Sequence, residues 1–303
     1  MKTFKDLEND FSNFWFEYML KNYEHKIKFW DLISCNPNIT WELIQKYIDK
    51  NLNMSVISRN PNITLKIIEE NPYIKWEWWN ISQNPNITWE DILNNQKKDL
   101  CWYSISQNSN ITWEIVKNNQ EYPWDYMAMS SNPNITYDII LKNKNKKWAI
   151  KYFSRNPNIT IDFVKKNKKI KWAWYYLSCN KSITCDIIEN NLKLPWDWYW
   201  ISKNPNITWN FIQKFNEKPW DWYWLSRHPN LTIDIINKYN YKPWNWEGIL
   251  LNPMTKWKKE WINKKRLEII AANIIHKWIR ICTWDPTYKF AQKLVLQRAY
   301  LNE

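Results

Sequence analysis

The chain has 303 residues, a net charge of +13, five cysteines and a single glycine. No stretch of about 18 apolar residues occurs, so a membrane-spanning helix is not read in it, and the N-terminus lacks the apolar core of a secretory signal. One glycine cannot supply a Gly-rich phosphate loop, and three histidines spread over the chain, His25, His228 and His276, suggest neither a metal cluster nor a catalytic triad.

Residues 1–27 carry Phe4, Leu7, Phe11, Phe14, Trp15, Phe16 and Tyr18 among charged residues, which predicts an amphipathic N-terminal capping helix. From residue 28 to 253 the sequence repeats. An asparagine returns every 24 residues at Asn36, Asn60, Asn84, Asn108, Asn132, Asn156, Asn180 and Asn204, with His228 in its place once and Asn252 last. It sits in a phrase of the form Ser-x-Asn-Pro-Asn-Ile-Thr, and self-similarity at fixed period is the mark of a stacked repeat array. With almost no glycine, Asn and Pro must make the turns. Asparagines stacked at one frame are placed to form a ladder between repeats.

Each phrase ends on a threonine, from Thr40 to Thr232, that precedes an apolar run. Such a residue caps a helix N-terminus, and acids such as Glu42, Glu114 and Asp138 then oppose the helix dipole. Ile44, Ile68, Ile92, Val116, Ile140, Val164, Ile188, Ile212 and Ile236 share one frame and predict a continuous core stripe. Asn71, Asn95, Asn119, Asn143, Asn167 and Asn191 are expected to end the first helix in the left-handed conformation.

The second element is fullest at Pro195-Trp196-Asp197-Trp198-Tyr199-Trp200. Its tryptophans alternate like a strand, which would give a leucine-rich-repeat horseshoe. Proline at the first position and Asp in the first turn predict instead a short α- or 3₁₀-helix, and that reading is adopted. Residues 254–303 leave the repeat. They read as a helical cap with a break at Asp285-Pro286 and a last helix to Tyr300, and hold 11 Lys and Arg against 4 Asp and Glu.

The Asn-Pro-x-x-Thr phrase, the paired aliphatics and the second short element on a 24-residue period resemble the leucine-rich repeat variant family. The Trp-Asp-Trp wording is similar to tandem-repeat proteins of large DNA viruses. The resemblance implies a superhelix of alternating α- and 3₁₀-helices and carries no catalytic motif.

The fold expected is therefore all-α: a right-handed α-solenoid of about ten 24-residue two-helix repeats with capping helices at both ends, an elongated stack roughly 90 Å long at the usual helix spacing. The function expected is a non-enzymatic, viral protein-interaction scaffold in the cytoplasm, monomeric and without cofactor, metal, membrane or small-molecule substrate. Variable pairs in the second element supply the candidate binding face: Tyr175, Tyr176, Tyr199, Trp200, Tyr223 and Trp224, since Tyr and Trp anchor interfaces. Lys264, Lys265, Arg266, Lys277 and Arg280 form a candidate basic patch, and with the aromatic strip they support an alternative, nucleic-acid binding. A third reading is an inert structural component.

Overall fold

The computed structural model describes residues 2–26, 28–284 and 287. The expected break at Asp285-Pro286 and the helix to Tyr300 lie outside them. Among the described residues every regular element is helical, which decides the second element in favour of helix over strand. Long helices stand at each end, α1 (Phe4–Tyr23) and α21 (Thr255–Trp284). Between them run nineteen helices of four to six residues. Nine of these are first helices of a repeat: α3 (Trp41–Lys46), α5 (Leu65–Glu70), α7 (Trp89–Asn94), α9 (Trp113–Asn118), α11 (Tyr137–Lys142), α13 (Ile161–Lys166), α15 (Cys185–Glu189), α17 (Trp209–Lys214) and α19 (Ile233–Lys238). Ten are second helices: α2 (Phe29–Ile33), α4 (Met54–Ile57), α6 (Trp78–Ile81), α8 (Trp102–Gln107), α10 (Tyr126–Met129), α12 (Ile150–Phe153), α14 (Trp174–Ser178), α16 (Trp198–Ile201), α18 (Trp222–Ser226) and α20 (Trp246–Leu250).

The chain forms two compact units, Met1–Phe11 with Lys258–Glu303, and Ser12–Trp257. In the first, Phe11 meets Trp261 edge-on at 5.7 Å and Lys258 pairs with Glu8 at 3.0 Å. The second holds the whole repeat array.

Each first helix starts as its threonine dictates. The hydroxyl of Thr160, for example, accepts from the Phe163 N–H at 3.2 Å, and the same bond recurs at all nine threonines from Thr40 to Thr232. Its end differs from expectation. Asn71, Asn95, Asn119, Asn143 and Asn167 have φ between −112° and −135°, and Asn191 is not left-handed either. Their side chains terminate the helix another way, donating back to a carbonyl four residues earlier, as Asn191 does to Ile187 at 2.7 Å. Except at Asn95, where Leu100 stands five residues on, their own carbonyls accept an indole N–H, from Trp76, Trp124, Trp148, Trp172 and Trp196. This clamp closes the loop, and it places Trp196 and Trp220 in the core at 8% and 9% exposure.

The second helix also begins later than the sequence suggests. Asp197 is the N-cap of α16, its carboxylate accepting from Trp200 N–H at 3.2 Å, and Pro195-Trp196 lie ahead of the helix. The Asp197 amide is held outside because it donates to Ser178 Oγ of the preceding repeat at 2.9 Å. Every serine from Ser34 to Ser226 receives the amide nineteen residues later in this way.

The asparagine ladder forms. Asn132 Nδ2 donates to the carbonyls of Ser106, Asn108 and Ile111 at 3.0, 2.9 and 3.1 Å, while its Oδ1 accepts from Asn134 N–H at 2.8 Å. One side chain thus bonds four backbone groups, three carbonyls of the preceding repeat and one amide of its own turn. Beside the ladder lie rings of buried aliphatics. Ile39, Ile63, Ile87, Ile111, Ile135, Ile159, Ile183, Ile207 and Leu231 are at most 4% exposed, and the predicted stripe from Ile44 to Ile236 at most 8%. At about 1.5–3 kcal/mol for each such side chain, these rows drive the stacking.

The ladder has no free end. Asn36, in the first rung, donates to Leu250 O and Asn252 O at 2.7 and 2.8 Å, and Asn38 donates to Pro253 O at 2.8 Å. These are the 26-, 24- and 25-residue offsets of internal rungs such as Asn84 and Asn86, counted round a circle. Ten rungs therefore close on themselves within Ser12–Trp257, and the elongated 90 Å stack is not what forms. A full circle shared among ten rungs is about 36° per repeat. Among the described residues two have left-handed backbone, Lys28 (φ 64°) and Met254 (φ 49°), and they stand where the chain enters and leaves the array.

Candidate functional site

Counting back from each rung, the second helix places three side chains per repeat on one edge of the ladder: the fifth, fourth and first residues before the asparagine. The candidate aromatics occupy the first two of these positions. Tyr199 is 44% exposed and Tyr175, Tyr176, Trp200, Tyr223 and Trp224 are half-buried, so the rings belong to the surface and not to the core. They hold one another. Tyr176 lies 4.4 Å from Tyr175 and 5.7 Å from Trp200, Tyr152 lies 6.0 Å from Tyr176, and Trp224 Nε1 donates to Tyr199 Oη at 3.3 Å.

Cations enter this row at the third position. Lys203 Nζ sits 3.9 Å from the Trp200 ring centre, 4.1 Å from Trp224 and 4.8 Å from Tyr199. Arg227 lies over Trp224 at 5.5 Å; Lys151, at the first of the three positions, lies over Tyr152 at 5.7 Å. The Tyr175 hydroxyl, which Lys151 bonds, holds the ammonium more basic than usual, and burial with the neighbouring Tyr175 pushes the Tyr176 hydroxyl up. The sequence reading centred on the aromatic pairs and passed over Arg155, Lys203 and Arg227. Farther round the same edge, Trp79, Gln83, Tyr103, Ser104 and Gln107 line an open cleft of about 520 Å³.

Most of the chain's other tryptophans are spent between repeats. Trp41, Trp89, Trp113 and Trp209 pack against the clamping indoles Trp76, Trp124, Trp148 and Trp244 at 5.3–6.0 Å, and Trp174, Trp198 and Trp222 meet the next clamp edge-on at 5.2–5.4 Å.

The candidate basic patch lies on α21. Lys264, Arg266, Lys277 and Arg280 are exposed, whereas Lys265 is half-buried and paired with Glu268 at 2.8 Å. Exposed Leu267, Ile274 and Trp278 interrupt these cations, so they make no continuous basic track.

Burial holds the Cys35 and Cys179 thiols up, away from the reactive thiolate. His228 is a rung: Nε2 donates to Asn204 O at 2.7 Å, Nδ1 accepts from Asn230 N–H at 3.2 Å, and burial lowers its basicity. Among the described residues no three His, Cys, Asp or Glu side chains gather as a metal site would require, and no helix is long and apolar enough to cross a membrane.

Fold and edge together define an all-helical, tryptophan-rich repeat array of the solenoid class with its ladder closed. Comparison with protein-family models, with curated proteins and with solved structures gives no match.

Proposed function

We propose that the chain is a non-enzymatic scaffold that binds a protein partner along the second-helix edge bearing Tyr175, Tyr176, Tyr199, Trp200, Tyr223 and Trp224. The observation that carries this reading is the contiguous row of half-buried rings, fixed by one another and exposed at Tyr199. Pre-ordered Tyr, Trp and Arg side chains lose little entropy on binding and dominate the energetics of protein interfaces. The cysteines and the buried histidine support a role without chemistry, since each is engaged in packing or in the ladder.

Nucleic-acid binding is the second reading, favoured by the cations among the rings. It is the weaker one because stacking needs an open ring face. Lys203 already covers the faces of Trp200 and Trp224, and Tyr175 packs against Tyr176. The test compares wild type with the Tyr199→Ser, Trp200→Ser double variant in partner capture and thermal unfolding. Loss of capture with unfolding nearly unchanged supports the scaffold. Capture that survives contradicts it, and tight, steeply salt-dependent binding of single-stranded DNA by wild type would put the second reading first.

A further inference from the structure

Arginine is rare in this chain, at six of 303 residues against 37 lysines, yet Arg59, Arg155 and Arg227 all fall at the position just before a rung. Lys203 is a fourth cation in that frame. The other occupants are Cys35, Gln83, Gln107, Ser131, Cys179 and Leu251, so ten positions carry four positive charges and no acid. A general bias toward lysine does not place half of the arginines in one frame of twenty-four.

These cations are also unpaired. Some lysines elsewhere pair with carboxylates, as in Lys66–Glu70, Lys117–Glu114 and Lys214–Glu189. Among the described residues none of Arg59, Arg155, Lys203 and Arg227 has a carboxylate within ion-pair distance. The same edge carries two acids, Asp31 and Glu247, both beside the closure, and Asp31 accepts from Asn53 Nδ2 at 2.6 Å; along the stretch from Arg155 to Arg227, Asp197 and Asp221 are turned to the amides of Trp200 and Trp224 as helix caps. Closure of the ladder keeps the frame on one edge all the way round: the Cys35 thiol feels both Arg59 in the next repeat and Arg227 two rungs behind it across the closure.

Resting on the reading of this edge as a protein-binding face, we infer that the segment it takes is an extended acidic peptide. Its carboxylates would meet Arg155, Lys203 and Arg227. The guanidinium fork takes a carboxylate with two parallel bonds, and Trp224 and Trp200 hold the two neighbouring cations in place without neutralising them. An extended chain can follow the edge: equivalent rings of neighbouring repeats lie 5.7–6.0 Å apart in contact, and alternate side chains on one face of an extended strand recur at about 6.8 Å.

The test is fluorescence anisotropy of three labelled probes with the full chain at low and physiological salt: a twelve-residue peptide alternating Glu and Ser, the same peptide with Lys for Glu, and oligo-dT of similar length. The acidic peptide is expected to bind, to weaken with salt, and to lose at least about ten-fold in affinity in the Arg155→Gln, Arg227→Gln variant. The melting temperature of that variant should stay close to wild type, and Lys142→Gln, away from this edge, should change nothing. Equal binding of the Lys peptide, tighter binding of oligo-dT, or no binding of the acidic peptide overturns the inference. If the acidic peptide fails while Tyr199→Ser, Trp200→Ser still abolishes partner capture, the scaffold reading survives and only the acidic partner falls.

Discussion

Replacing Asn36 with alanine examines ladder closure through its energetics. The substitution removes the donors to Leu250 O and Asn252 O and the acceptor for Asn38 N–H, all at sites where Asn36 itself is fully buried. A buried backbone group left without a partner costs about 1–3 kcal/mol, so three of them give about 3–6 kcal/mol after partial relaxation. Asn132→Ala, in the middle of the array, strips the four bonds of an internal rung and should cost a similar amount. In an open stack the first rung would face water and its loss would cost almost nothing. Urea unfolding of wild type and both variants, with fitted slopes checked for constancy, reads the difference. Comparable destabilisation supports closure. An Asn36→Ala protein within about 0.5 kcal/mol of wild type, beside a strongly destabilised Asn132→Ala, would refute it.

Three further outcomes are expected. His228 is held neutral by burial, with its basicity lowered from the ordinary 6.5. Its contribution is therefore complete above pH 6.5 and lost as pH falls below that value, because the unfolded chain takes up the proton first. His228→Asn, which restores the usual rung residue, should flatten the pH dependence of the melting temperature between pH 7 and 5, and an unchanged profile would contradict the assignment. Gly248→Ala places a Cβ 2.6 Å from Tyr223 O and 2.9 Å from Ser226 Cβ, so α20 must move from α18 at a cost of about 1–3 kcal/mol, measured by denaturation. Trp220→Phe deletes the 2.8 Å bond to Phe215 O and part of the buried ring, which together should cost about 2–4 kcal/mol and leave peptide binding intact.

Much of this architecture was legible because it is local and recurs. Thr208 caps a helix whatever surrounds it, Ile212 lies on the buried face that periodicity assigns, and an asparagine at one frame is a ladder as soon as the repeats stack. The left-handed ending assigned to Asn191 failed because the side chain found a better bond, to Ile187 O, in an ordinary backbone conformation. Pro195 was read as a helix start because the constraint that keeps Asp197 outside the helix comes from Ser178, a repeat away. Closure was illegible for a related reason. It is the sum of ten small rotations between packed surfaces; Asn36 has the wording of an internal rung, and the altered phrase at Asn252, with Leu250 for the serine and Met254 for the second asparagine, reads as the end of an open array. On the candidate face, the aromatics were found as variable pairs. The cations were missed although Arg59, Arg155 and Arg227 shared a frame, because charge was weighed by segment and not by repeat position.

The closed ladder itself is tested most directly by distance. Gln45 and Asn237 are exposed, equivalent positions on α3 and α19, and Lys117 and Lys165 are the same position on α9 and α13. Around a ring of ten, both pairs are two repeats apart. Along an open stack the first pair would be eight repeats apart, roughly 70 Å at 8–10 Å per repeat. Pulsed electron–electron resonance between non-cysteine spin labels should give closely matching distance distributions for the two pairs. A Gln45–Asn237 distance near the open-stack value, with Lys117–Lys165 remaining short, would contradict closure.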